Sequence, residues 1–157
     1  MEQNKTIIAG IGNRLLSDDG FGPRVIDLLS QKDLPERIEL RDMGTAGISI
    51  ASDLSEYTRA VFLDTMEMDG PPGKLIVSRL LVEETEKDVI DLSRMTLHDA
   101  GLEGLLKFAK AIDTLPEKVF LIGCKPKSLE VGIALSDEVD TATHEAVKKV
   151  LDLIEKD

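Results

Sequence analysis

The stretch Thr6–Val25, TIIAGIGNRLLSDDGFGPRV, restricts the possible folds more than any other part of the chain. Its first residues, Thr6 to Gly10, are apolar at consecutive positions. Such a run suits a strand buried on both faces, as in a parallel sheet covered by helices. Gly10-Ile11-Gly12-Asn13 supplies a tight turn, Asp18-Asp19 puts two acids in the loop that follows, and Pro23 suits the first turn of a helix. Strand, glycine turn and helix in that order open an α/β unit, where ligands collect outside the carboxyl ends of strands. Two carboxylates in that place, with no basic residue beside them in sequence, call for a chemical reason.

The rest of the chain repeats the alternation. Val25, Ile26, Leu28 and Leu29 form an apolar helical stripe, closed by Pro35. A second strand is expected at Ile38 to Asp42, and Gly44-Thr45-Ala46-Gly47 turns the chain into a helix from about Ile48 to Tyr57. A third strand, Ala60 to Leu63, ends at Asp64. After the turn Gly70-Pro71-Pro72-Gly73, Lys74 to Val77 reads as a fourth strand. Residues 80 to 95 mix acids and lysine with scattered apolar residues and carry no clear period. Thr96-Leu97-His98-Asp99 precedes a helix from about Gly101 to Asp113, with Leu102, Leu105, Leu106 and Ala109 on its apolar face. Lys118 to Gly123 is a fifth strand, and Ser136 is a suitable N-cap for a helix from Asp137 to about Glu155. Alternating strands and helices imply an α/β domain with a mostly parallel sheet, and one domain is expected to span residues 1 to 157.

Charge and composition remove several classes of function. The net charge of −11 opposes non-specific binding to nucleic acid or an anionic membrane, both of which need a basic face. Aromatic residues make up 3% of the chain, too few for stacking on bases. No apolar run approaches the roughly 20 residues that span a bilayer, and the start, MEQNKT, lacks the pattern of a secretory signal. A single cysteine, Cys124, fits a reducing compartment, so a cytoplasmic protein is expected.

Three kinds of site were weighed. Gly10-Ile11-Gly12 opens like a dinucleotide fingerprint, but the third glycine position holds Leu15, the helix begins late, and Asp18-Asp19 would repel phosphate. Nucleophilic hydrolysis lacks a GxSxG elbow, Cys124 reads as a small buried hydrophobe, and His144 lies in a helix explained without it. The third is a carboxylate or metal site. Asp19 follows strand one and Asp64 ends strand three, so adjacent strands would turn both acids into one crevice, with His98 in a loop able to reach it. Two oxygens and one imidazole leave open positions on a divalent ion. Without a cation, two close carboxylates raise the pKa of one, which is the acid-pair route to activating water.

GIGNRLLSDDGFGPRV, DMGTAG, AVFLD, LHDAGL and IGCKPKSLEVGIALS, in that order, resemble the maturation endopeptidases of nickel-iron hydrogenases. The chain departs from the family's GGTAG in having Met43 before Gly44-Thr45-Ala46-Gly47. The resemblance implies a three-layer α/β/α fold around a five-stranded mixed sheet of order 2-1-3-5-4, strand four antiparallel. It implies an enzyme that removes the C-terminal extension of a hydrogenase large-subunit precursor after nickel insertion, reading nickel in the precursor as the sign of readiness. It further implies Asp19, Asp64 and His98 as metal ligands, with Asp19 and Asp64 as catalytic acids. Asp18, Asn13, Asp42 and Thr45 are expected to touch substrate or support these ligands. The partner would be the precursor and the enzyme a monomer. A different class is a metal- or ligand-binding α/β module that assists maturation without cutting.

Overall fold

The computed structural model describes residues 4–45, 47–80 and 101–156, with the backbone alone described for Gly47 and Ile48. Five strands, β1 (Thr6–Ile11), β2 (Ile38–Gly44), β3 (Arg59–Thr65), β4 (Leu75–Leu80) and β5 (Lys118–Cys124), form one sheet of order β2-β1-β3-β5-β4. All pairings are parallel except β4 with β5. The connection from β3 to β4, residues 66–74, is too short for a helical crossover. It passes over the end of β5 and starts β4 from the same edge, so β4 runs back antiparallel.

Every residue of β1 is buried. Its side chains alternate between two cores, as the strand period of two demands. Ile8 points to the layer of helices α1 (Phe21–Leu29) and α3 (Asp137–Glu155), while Ile7, Ala9 and Ile11 face α2 (Leu102–Ala111) and a 3-10 helix over Gly47–Glu56. In β3, Val61 and Leu63 take the first face and Ala60 and Phe62 the second. The result is the three-layer α/β/α arrangement with the expected strand order and the expected antiparallel strand.

Three elements differ from the sequence expectations in their ends or their type. Helix α1 starts at Phe21 rather than near Pro23, directly after a 3-10 turn over Ser17–Gly20. The segment expected as a second α-helix is 3-10 instead. Ser49, Ser52, Asp53 and Ser55 interrupt it with groups that compete for the backbone, and the Ser55 hydroxyl donates to the Ser52 carbonyl at 3.4 Å. Strand β3 also continues two residues past its apolar run, because pairing persists through Asp64↔Gly123 and Thr65↔Cys124. The unassigned stretch beyond Leu80, to residue 95, lies outside the described residues.

Helix α1 begins against the sheet itself. A Cβ on Gly22 would come within 2.5 Å of the Leu63 carbonyl oxygen and 2.7 Å of that of Ile11. Glycine at this point therefore lets the loop after β1 lie beside the end of β3. At the opposite end of the sheet, the buried Arg59 guanidinium donates to the Leu153 carbonyl at 2.8 Å and to the Thr6 hydroxyl at 3.1 Å, fastening the last turn of α3. No described helix is long and apolar enough to cross a membrane.

Candidate active site

The loop after β1 is shaped by Gly12 and closed on Asp19. Gly12 has φ of +146°, a conformation L side chains rarely adopt. Its N–H donates to the Gly44 carbonyl at 2.9 Å, joining the turn after β1 to the end of β2. The Asn13 N–H donates to Asp19 Oδ2 at 2.7 Å, and the Asn13 side-chain oxygen accepts from the Leu15 N–H at 2.8 Å. Asn13 thus holds Asp19 through its backbone and shapes the loop through its side chain.

Asp64 enters from the neighbouring strand, where β1 and β3 pair in the register Gly10↔Leu63. Thr65 ties the two acids together. Its N–H donates to Asp64 Oδ1 at 2.8 Å and its hydroxyl donates to Asp19 Oδ1 at 3.0 Å. Burial pushes the Asp64 carboxyl up to about 7, against the lowering effect of the Thr65 N–H and with a further push from the charge of Asp19. One acid of the pair therefore holds a proton close to neutral pH. Thr65 was not foreseen, since a threonine at the end of a strand carries no spacing or motif that marks it.

Asp18, adjacent to Asp19, faces the other way. It is fully buried, and its carboxylate accepts four hydrogen bonds. Oδ2 takes the N–H groups of Lys127 at 2.8 Å and Ser128 at 3.0 Å and the Ser136 hydroxyl at 3.0 Å, while Oδ1 takes the Ser136 N–H at 2.7 Å. Burial alone would raise its pKa. The Ser136, Ser128 and Lys127 N–H groups and the Ser136 hydroxyl outweigh that and hold it below the ordinary Asp range. Of contact or support, the two expectations for Asp18, the geometry matches support.

The other expected residues lie nearby but are occupied differently. Asp42 pairs with the Arg14 guanidinium at 2.9 Å and caps the Gly44 N–H at 3.0 Å. Arg14 also holds Asp27 at 2.7 Å, and these hydrogen bonds raise its already high pKa. Thr45 is exposed just beyond β2, and Met43 packs half-buried against the α2-side core, so its side chain fits where the resemblance has glycine. Cys124 is buried, and burial with the charge of Asp18 pushes its thiol up to about 12, which leaves no thiolate for catalysis. His144 is exposed on α3. His98 lies outside the described residues. Among the described residues no three His, Cys, Asp or Glu side chains converge on a metal position.

An α/β/α sheet with an acid pair at the carboxyl ends of two adjacent parallel strands puts carboxylate acid–base chemistry where such sheets bind their ligands. Residues 23–153 match the family model for hydrogenase maturation protease. The chain is 32% identical over 152 residues to hydrogenase expression/formation protein HoxM of Cupriavidus necator, covering 96% of this chain and 74% of that one. It is 28% identical to the hydrogenase 2 maturation protease of Escherichia coli over 94% of this chain and 88% of that protein. Among solved structures, the hydrogenase 2 maturation peptidase of a Thaumarchaeota archaeon superposes with a TM-score of 0.77 at 54% identity, covering 96% of this chain and 98% of the other. The E. coli maturating endopeptidase HybD superposes with a TM-score of 0.79 at 26% identity, covering 97% and 93%. The chain belongs to the hydrogenase maturation protease family. It is a peptide-bond hydrolase, an endopeptidase of hydrogenase maturation.

Proposed function

We propose that this enzyme cuts the C-terminal extension from a nickel-iron hydrogenase large-subunit precursor once nickel is in place, acting as a monomer in the cytoplasm. The observation that carries the reading is the Asp19–Asp64 pair tied through Thr65, with Asp64 titrating at about 7. On this reading Asp19 takes a proton from the attacking water and returns it to the leaving amine, the general base and acid role that a carboxylate beside the scissile bond supports.

The same two carboxylates suit a divalent cation as hard oxygen donors, and His98 is the third ligand on this reading. Nickel comes with the precursor as cargo and supplies Lewis acidity when it reaches the pair. Burial, with a smaller push from the charge of Asp19, is what keeps a proton on Asp64, and a cation held by that carboxylate would displace it. A precursor without nickel would bring no cation to the pair, and Asp64 would keep its proton.

Mass measurement after mixing enzyme with nickel-loaded or nickel-free precursor tests this. Loss of a C-terminal fragment from the loaded precursor alone is expected, with Asp64→Asn and His98→Ala both inactive. Equal cleavage of the two precursors would sink nickel recognition. Full activity of His98→Ala would remove that residue from the site, and no cleavage by wild type would overturn the proteolytic reading.

A further inference from the structure

Large apolar side chains left in water are gathered on the loop before Asp19, on the segment bonded to that loop, and beside Thr65. Of the eight large hydrophobic side chains exposed among the described residues, five lie here: Val131 at 88%, Ile133 at 86%, Leu15 at 62%, Leu129 at 46% and Met66 at 38%. A monomeric soluble protein rarely leaves a contiguous apolar patch without a use for it.

The backbone beneath them is firmly built. Asp18 takes the N–H groups of Lys127, Ser128 and Ser136, and its own N–H donates to the Ser128 carbonyl at 3.1 Å. The Ser17 N–H donates to the Gly132 carbonyl at 2.8 Å, the Gly132 N–H to the Leu15 carbonyl at 2.9 Å, and the Ser17 hydroxyl to the Glu130 carbonyl at 2.7 Å. Val131 and Ile133 thus flank a glycine whose N–H and carbonyl are both bonded to the loop that carries Asp19. Their exposure belongs to a cross-linked loop.

Two of the five sit on segments that carry or contact the acids. Leu15 lies in the Asn13–Asp19 loop, and Met66 directly follows Thr65, whose hydroxyl bonds Asp19. The Met66 N–H donates to the Cys124 carbonyl at 2.9 Å, which fixes its backbone over the end of β5.

We propose that Leu15, Leu129, Val131 and Ile133, with Met66 across the acid pair, seat an apolar segment of the precursor next to the bond that is cut. This rests on the proteolytic reading and adds the chemistry of the substrate's contact region. Precursor side chains that are aliphatic at this point are gripped by burial.

The test is the double variant Val131→Ser/Ile133→Ser, which leaves every backbone bond and both acids in place. Two readouts are taken: steady-state cleavage of nickel-loaded precursor, and the Kd of the same precursor by calorimetry. Burying two such side chains predicts a rise in KM and Kd of roughly tenfold or more, with kcat unchanged. Unchanged Kd overturns the proposal, whatever cleavage does. If wild type binds but fails to cut, and the double variant loses binding, the docking surface stands and the proteolytic reading falls. If wild type sediments as a dimer, the double variant as a monomer, and Kd for the precursor is unaltered, the patch holds a second copy and the proposal is overturned.

Discussion

Asp18 and Ser136, 118 positions apart, meet through two hydrogen bonds, from the Ser136 N–H to Asp18 Oδ1 at 2.7 Å and from its hydroxyl to Oδ2 at 3.0 Å. Ser136 is also the N-cap of α3, where its hydroxyl oxygen accepts from the Val139 N–H at 3.4 Å. One serine therefore fastens the loop after β1 to the start of the last helix.

Removing Asp18 leaves three part-buried N–H groups and a hydroxyl without their acceptor. Asp18→Ala is expected to lose roughly 2 kcal/mol in urea unfolding, from the cost of donors left unpaired. Asp18→Asn keeps the volume but turns an amide NH2 toward these donors, so it also destabilises. The wild type carries a pH signature. The folded carboxylate titrates below its ordinary range, so its contribution is present above about pH 4 and lost as pH falls further. The acid limb of the stability profile should flatten in Asp18→Ala.

Asp64 gives the opposite slope. Its folded pKa of about 7 lies above the ordinary 3.8, so the folded protein keeps a proton that the unfolded chain has released. That contribution is full below the ordinary pKa and is lost as pH rises through about 7. Asp64→Asn, which retains an oxygen for the Thr65 N–H, should be more stable than wild type at pH 8 by up to about 4 kcal/mol. The gap opens above about pH 4 and levels off above about pH 7. Melting temperatures of both proteins across this range check the sign, and a constant gap would contradict it.

Arg14 is held by two carboxylates, yet its side chain is 46% exposed, and those of Asp27 and Asp42 are 44% and 37% exposed. Exposed pairs contribute little, so Arg14→Ala should cost less than about 1 kcal/mol, and less again in 1 M salt. Asp42→Asn keeps its acceptor for the Gly44 N–H and should retain cleavage activity. A large loss of kcat in Asp42→Asn would return it to the substrate-handling residues.

Cys124 should resist alkylation. It is buried with its thiol pushed to about 12, so iodoacetamide at pH 8 should leave native enzyme unmodified and active. The thiol should react only once the protein is unfolded. Mass spectrometry with and without denaturant separates the two cases.

The central strands were legible because β1 and β3 are apolar at consecutive positions and sit under helices on both faces. Asp19 and Asp64 were legible because each terminates or follows such a run. The antiparallel β4 came from family resemblance, since an exposed edge strand has no burial to write a pattern. The 3-10 segment was read as α-helix because Ala51 and Leu54 fit both forms, and serine competition for the backbone decided between them. The partners of Asp18 lie more than 100 positions away, and no local pattern announces such a contact. The use of Thr65 likewise depends on two strands being side by side.

That adjacency has a practical reach. Thr65 bonds Asp19 only when β1 and β3 are aligned as Gly10↔Leu63. Side chains alternate along a strand, so a slip of one residue would turn Asp64 to the opposite face of the sheet. Regained proteolysis during refolding therefore reports correct strand alignment, and helix content or collapse measured in parallel does not. The lag between the two signals would time the step at which the sheet finds its register.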